Sequence, residues 1–224
     1  MGHPLDSPAW SALNGEHKRF AETYGRAARY DPDIAPFHAL PPSPDASTWA
    51  DLAELAGSGH ELVLNGPVLT PPDGWEVVHH LDGVQLVGSD VPGEPDAEAV
   101  KLGLEDVPEV LDLVARTEPG PFRKNTIELG TYLGIRRNGT LIAMAGERMH
   151  PPGWTEISAV CTDPAYRGQG LAARLIRAVA AGIQARGETP FLHAAASNTN
   201  AVRLYESLGF TFRRQTAFRL LRVP

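Results

Sequence analysis

Between Gly170 and Arg186 the apolar positions Leu171, Leu175, Val179 and Ile183 recur every fourth residue, one stripe of a helix that Gly187 ends. Strands are expected on either side of it, at Thr155–Cys161 and Pro190–Ala195. A short helix over Asn198–Leu208, stopped by Gly209, then leads into a last strand, Phe210–Leu220. Upstream, Thr131–Arg136 and Leu141–Arg148 flank Asn138-Gly139, the strongest hairpin signal in the chain, and Pro151-Pro152-Gly153 marks another turn. Ala99–Leu102 reads as a strand. A helix from Asp106 to Arg116 follows, with Pro108 in its first turn, and Phe122–Gly130 as a second, shorter one.

The first part of the chain is less regular. Phe20, Tyr24 and Ala27-Ala28 fall near helical spacing and predict a helix over Trp10–Tyr30, ended by Asp31-Pro32. Pro36–Pro44 reads as a packed loop. Ser47 or Thr48 would cap a short helix through Leu55, stopped by Gly57-Ser58-Gly59. Three strands follow, Glu61–Leu64, Trp75–His79 and Val84–Val87, separated by Pro71-Pro72-Asp73-Gly74 and by Asp82-Gly83. Ser89–Pro95 reads as a linker, dividing an accessory region, 1–95, from a second unit, 96–224. From about residue 97 the order is strand, two helices, three strands, helix, strand, helix, strand, a mixed α/β or α+β layer structure.

Composition adds bounds. The 224 residues are 42% hydrophobic and 21% charged, ordinary for a globular chain. No run approaches the roughly 20 apolar residues of a membrane span, and the first residues lack a basic-then-apolar leader. Cys161 is the only cysteine and no Cys/His spacing resembles a metal site, so a reducing cytoplasm and no metal are expected. The net charge of −7 is uneven: residues 31–100 hold 13 Asp and Glu and no Lys or Arg, whereas residues 101–224 hold 16 basic and 11 acidic. Such asymmetry suits a polyanionic ligand. No basic cluster interleaved with aromatics points to nucleic acid, and a small phosphate-bearing cofactor fits better.

Arg167-Gly168-Gln169-Gly170-Leu171-Ala172 joins the strand to the long helix. A glycine-rich turn at a helix start exposes backbone N–H groups, and the helix dipole favours an anion there. The dinucleotide fingerprint lacks its third glycine and later acid, and the Walker pattern its Gly-Lys-Ser/Thr.

Residues Glu156–Ala172 resemble the central acetyl-CoA motif of the GNAT superfamily of N-acetyltransferases, and Asn198–Phe210 resembles a second motif at the family's usual distance. The resemblance covers about residues 97–214 and is closest to the glycine-N-acyltransferase-like branch. It implies a GNAT-type fold: a mixed, mostly antiparallel central sheet flanked by helices, here with an N-terminal α/β extension. Residues 1–95 carry no such motif and are a candidate degenerate copy of the same fold.

The resemblance also implies roles. Backbone amides of Arg167, Gly168, Gln169, Gly170, Leu171 and Ala172 would hold the pyrophosphate, with the adenine near Gln169. Val160, Cys161 and Thr162, on a strand splayed from its neighbour, would align the pantetheine arm, and the Val160 N–H would stabilise the oxyanion, typically worth about 3 kcal/mol. Tyr205 matches the general acid for the leaving thiolate. Asn198 matches a position bonding the pantetheine, or is a plain helix N-cap. Glu156 is the candidate general base, or a salt-bridged strand residue, with Glu147 and His193 in reserve. No partner base is visible for Cys161, so direct transfer is expected over an acyl-cysteine.

The expected reaction moves an acetyl group from acetyl-CoA to a primary amine, an amino acid or a peptide N-terminus, in a cytoplasmic monomer or homodimer without nucleic-acid or membrane partners. Alternatives are transfer of a longer acyl group, for which Ala195-Ala196 would leave room, and a non-catalytic acyl-CoA sensor. The acceptor pocket is expected along Pro121–Gly130, the Met149–Trp154 turn and the strand near His193, with the acidic first half steering a cationic amine inward.

Overall fold

In the computed structural model, which describes residues 2–66 and 70–224, eleven strands form one sheet. They are β1 (Ala21–Tyr24), β2 (Ala27–Tyr30), β3 (Phe37–Ala39), β4 (Glu61–Gly66), β5 (Glu76–Val87), β6 (Val100–Lys101), β7 (Tyr132–Arg137), β8 (Thr140–Glu147), β9 (Trp154–Thr162), β10 (Thr189–Ala195) and β11 (Thr211–Arg222). The helices are α1 (Pro8–Leu13), α2 (Ala46–Ala56), α3 (Val107–Thr117), α4 (Leu171–Ala185) and α5 (Thr199–Ser207). The sheet order is β1-β2-β3-β4-β11-β5-β10-β9-β8-β7-β6, and only β3–β4 and β9–β10 run parallel. This is the mixed, mostly antiparallel sheet with flanking helices expected from the sequence.

The strongest local signals hold. Asn138 and Gly139 both take positive φ, 51° and 84°, and close the β7–β8 hairpin. The stripe of α4 packs on one face of the sheet with Ile135, Ile142 and Ile157, all at most 2% exposed. On the opposite face Val110 and Leu113 of α3 meet Leu141, Met144 and Cys161. Leu175 is fully buried in the first of these layers. Leu175→Ala is expected to cost about 2–5 kcal/mol in urea unfolding, and a loss below about 1 kcal/mol would contradict this packing.

The N-terminal part departs from expectation. Trp10–Tyr30 is not one helix: α1 ends at Leu13, and β1 and β2 form a hairpin in which Tyr24 faces Ala27. Gly25, at φ 52°, makes the tight turn, and Arg26 N–H donates to Asp51 Oδ2 at 2.8 Å. Pro36–Pro44 contains β3. The cap of α2 is Asp45, whose Oδ1 accepts from Thr48 N at 2.9 Å, rather than Ser47 or Thr48; Gly57 stops the helix as expected. The strands expected at Trp75–His79 and Val84–Val87 are one, Glu76–Val87, because Gly83 pairs with Ala195 of β10 and Thr216 of β11. Phe122–Gly130 keeps only a 3-10 turn at Thr126–Leu129, since the Asn125 N–H leaves the segment to bond Asp33 O at 3.0 Å. Ser89–Pro95 packs along α4 through Gln184 Nε2 to Val91 O, 2.7 Å.

The first 95 residues therefore put β1 to β5 into the common sheet, with β5 between β10 and β11. Among the described residues, no helix is long and apolar enough to cross a membrane.

Candidate active site

Strand β9 makes the site by what it stops doing. It pairs with β10 only at Thr189–Phe191 opposite Trp154–Glu156, and beyond Glu156 the two strands diverge. On its other side the register slips between Met144 and Gly146 of β8, a bulge that sets Ala159 and Val160 against Ala145. Ala159 takes φ 53° there, a strained conformation for a residue with a Cβ.

A cleft of about 990 Å³ opens where the strands part, at the upper end of the range for ligand pockets. Its lining includes Val160, Cys161, Thr162, Arg167, Gly168, Gly170, Leu171, Ala172, Asn198 and Tyr205. Of the residues predicted to hold the cofactor, Gln169 alone does not line it and is exposed.

At the start of α4, Gly168 and Gly170 take φ 78° and 73°, and a Cβ at either would meet nothing within 4 Å. The first bond into the helix is Arg174 N–H to Gly170 O. The amides from Gly168 to Ala173 have no acceptor among the described residues, and Gly170 provides no side-chain cap. Six unpaired donors at the positive end of a fifteen-residue helix, next to the Arg167 cation, form a cradle suited to phosphates. The free edge of β9 fits an extended arm between that cradle and the fork.

Tyr205 is 9% exposed, and burial pushes its phenol up to about 12. Among the described residues its hydroxyl has no hydrogen-bond partner. Asn198 lines the cleft and also caps α5, its Oδ1 accepting from Ala201 N at 3.1 Å. Burial raises the Cys161 thiol, which disfavours a thiolate nucleophile.

Glu156 sits at the fork, fully buried, and does not line the cleft. Arg148 Nε and Nη2 donate to its two oxygens at 2.8 and 2.6 Å, and His193 Nδ1 donates to Oε1 at 2.7 Å. Burial alone would raise its pKa, but the Arg148 charge and hydrogen bonds, with His193, hold it at about 2. His193 Nε2 accepts from Gln85 Nε2 at 3.0 Å, and the Gln85 oxygen accepts from Arg213 at 2.7 Å. Glu147 is also buried, paired with Arg186 at 3.0 Å outside the cleft lining.

The far end of the cleft corrects the acceptor expectation. Thr117–Pro121 and Arg123 line it, as does His193, but the Met149–Trp154 turn does not: Met149 is buried under α1 and Trp154 packs on His3. The sequence reading missed Pro36, Phe37, Val63, His79, Leu81 and Phe218. No local pattern marks them, because they reach the cleft only through β5 pairing between β10 and β11. None of the 13 acids of residues 31–100 lines the cleft, so the first half does not surround an incoming amine with negative charge.

Forked strands, a bulge beside the fork and a cradle of free amides make a cleft suited to a phosphate-bearing ligand with an extended arm. Residues 132–219 match the FR47-like protein family. A structure assigned to the GNAT acetyltransferase family, from Novosphingobium aromaticivorans DSM 12444, is 45% identical over 100% of both chains, with a TM-score of 0.91. The N-alpha-acetyltransferase RimI of Mycobacterium tuberculosis is 39% identical over 35% of this chain and 51% of its own length. A mycothiol acetyltransferase of Saccharopolyspora erythraea is 25% identical over 75% of this chain and 62% of its own length. The matches thus span about half to three fifths of those curated relatives. The chain belongs to the GNAT family of acetyltransferases.

Proposed function

We propose that this protein transfers an acetyl group from acetyl-CoA to a primary amine by direct attack. The observation that carries the reading is the run of partnerless amides from Gly168 to Ala173 bordering a cleft that also holds Val160 and Tyr205. The relatives' names, N-alpha-acetyltransferase and mycothiol acetyltransferase, support the same chemistry. A place in the glycine-N-acyltransferase-like branch rests on the resemblance of the two motifs.

The cosubstrate supplies an activated thioester. The amides of the cradle bind its diphosphate, and the free edge of β9 with Asn198 orients the arm. The Val160 N–H donates to the thioester carbonyl oxygen as the amine nitrogen bonds to the carbon. Tyr205, in the lining of the same cleft, donates a hydrogen bond to the sulfur as the C–S bond breaks; the new amide nitrogen releases a proton to solvent and the departing thiolate takes one up from solvent, which balances the step. With the phenol at about 12 and a thiol near 8.5, complete transfer would run uphill by about 5 kcal/mol. Tyr205 therefore acts chiefly as a hydrogen-bond donor that stays protonated at working pH.

Both oxygens of Glu156 are occupied and its carboxylate is strongly acidic, so we assign it to orienting His193 rather than to taking the amine's proton. The amine then enters already neutral. That suits an α-amino group near pKa 7.7–8.0 better than a lysine near 10.4.

Tyr205→Phe is expected to lower kcat about 100-fold while CoA affinity stays within about threefold, measured by thiol release and calorimetry. An unchanged kcat would remove the donor role. Ala194 and Ala195 line the cleft with little bulk, so a series of longer acyl-CoAs in the same assay decides acyl length. CoA binding without turnover of any amine would instead make the protein a sensor.

A further inference from the structure

The segment from Thr117 to Thr126 contributes Thr117–Pro121 and Arg123 to the lining of the cleft and is fixed at both ends. At the first end Thr117 closes α3, its Oγ1 donating to Leu113 O at 2.6 Å. At the other, Asn125 N–H donates to Asp33 O at 3.0 Å, Thr126 Oγ1 donates to Ile34 O at 2.6 Å, and Lys124 pairs with Asp33 at 2.8 Å. Arg123 therefore sits at the acceptor end, next to the stretch that brings Pro36 and Phe37 to the cleft. Its own N–H is pinned by Thr126 Oγ1 at 2.7 Å, which fixes where the side chain starts.

Arg123 is an exposed residue of the cleft lining, and among the described residues its guanidinium has neither an ion pair nor a hydrogen bond. Other cations of the lining are committed. Arg148 is neutralised by Glu156, and Arg167 belongs to the cradle, with its Nε on Thr162 O. The lining contains one carboxylate, Glu118. A cation with a fixed root and no counter-charge, facing a cleft that is otherwise largely apolar, is a receptor for an anion brought by the ligand.

We propose that Arg123 receives a carboxylate of the acceptor, so that the preferred acceptors are small amines also bearing a carboxylate, amino acids rather than polyamines. The proposal rests on the acetyltransferase reading of the same cleft. A planar guanidinium can take both carboxylate oxygens at once, which fixes the acceptor's orientation as well as holding it.

The test is kcat/KM, expressed per neutral amine, for α-amino acids, their amides, aspartyl amide, asparaginyl amide and a diamine, all with acetyl-CoA. The wild-type protein should favour the free acids over their amides by about 10–100-fold, the range of one charge-assisted hydrogen-bonded pair. Arg123→Ala should remove that preference by slowing the acids alone, and Arg123→Lys should restore part of it. Aspartyl amide exceeding asparaginyl amide would place the carboxylate on the acceptor's side chain instead of its α-carbon. Wild-type rates equal or higher with amides or the diamine would overturn the proposal, as would an Arg123→Ala loss shared by acids and amides. Unchanged CoA affinity of Arg123→Ala in calorimetry keeps this failure separate from failure of the enzyme reading. That reading falls if the wild type neither binds CoA nor turns over any amine.

Discussion

Gly170→Val is expected to weaken CoA binding by about 100-fold or more in calorimetry, with the thermal midpoint lowered by about 2–8 °C. Gly170 stands at φ 73°, where a β-branched residue is strongly disfavoured, yet a Cβ would touch no protein atom. The substitution therefore acts on the shape of the cradle and on the space the ligand needs, and leaves the core alone. Turning two amides away from a charged phosphate forfeits about 1.5–3 kcal/mol each, and 1.4 kcal/mol is a factor of ten. Affinity within about threefold of the wild type would mean that the loop does not grip the diphosphate.

Arg148→Met is expected to destabilise the fold by about 3–5 kcal/mol in urea unfolding at pH 7. It leaves Glu156, with no exposed surface, as a buried carboxylate stripped of its main counter-charge. Replacing Glu156 by Met in the same chain should recover part of that loss, because the pair is then exchanged for apolar packing. Additive losses in the double variant would contradict a coupled pair. The pH dependence has a definite sign. Glu156 is held at about 2 against about 4.3 for an unfolded chain, so its contribution is present above the unfolded value. It is lost as pH falls through about 4 toward 2. Glu156→Gln should flatten that part of the stability profile.

The amide cradle before α4 was legible in the sequence because its determinants are local. Gly168 and Gly170 need no distant partner to take positive φ, and α4 is written in one four-residue repeat. Asn138-Gly139 fixes its hairpin for the same reason. The N-terminal part was misread where local spacing competed with long-range pairing. Tyr24-Gly25-Arg26 looked helical because Phe20, Tyr24 and Ala27-Ala28 fall four or so apart, but Gly25 closes a hairpin anchored on Asp51, 25 residues from Arg26. Asp82-Gly83 reads as a turn in isolation. Within β5 its glycine is instead a close approach, since a Cβ there would lie 3.2 Å from Ala194 O.

The part of the cleft lined by Phe37, Leu81 and Phe218 depends on that same insertion of β5 between β10 and β11. Phe37, Leu81 and Phe218 become neighbours of His193 only once the sheet is assembled. The role expected of Glu156 changed for a related reason. Its position on β9 was readable, but its burial and its two partners, Arg148 eight residues away and His193 thirty-seven away, were not.

Amide NMR of the isotopically labelled protein during a CoA titration tests the central claim most directly. Saturable shifts concentrated at the N–H groups of Gly168 to Ala173, with Val160 among the next most affected, are the predicted result. Saturation with those amides unmoved, or no saturable shift anywhere, would mean that the cradle does not hold the diphosphate.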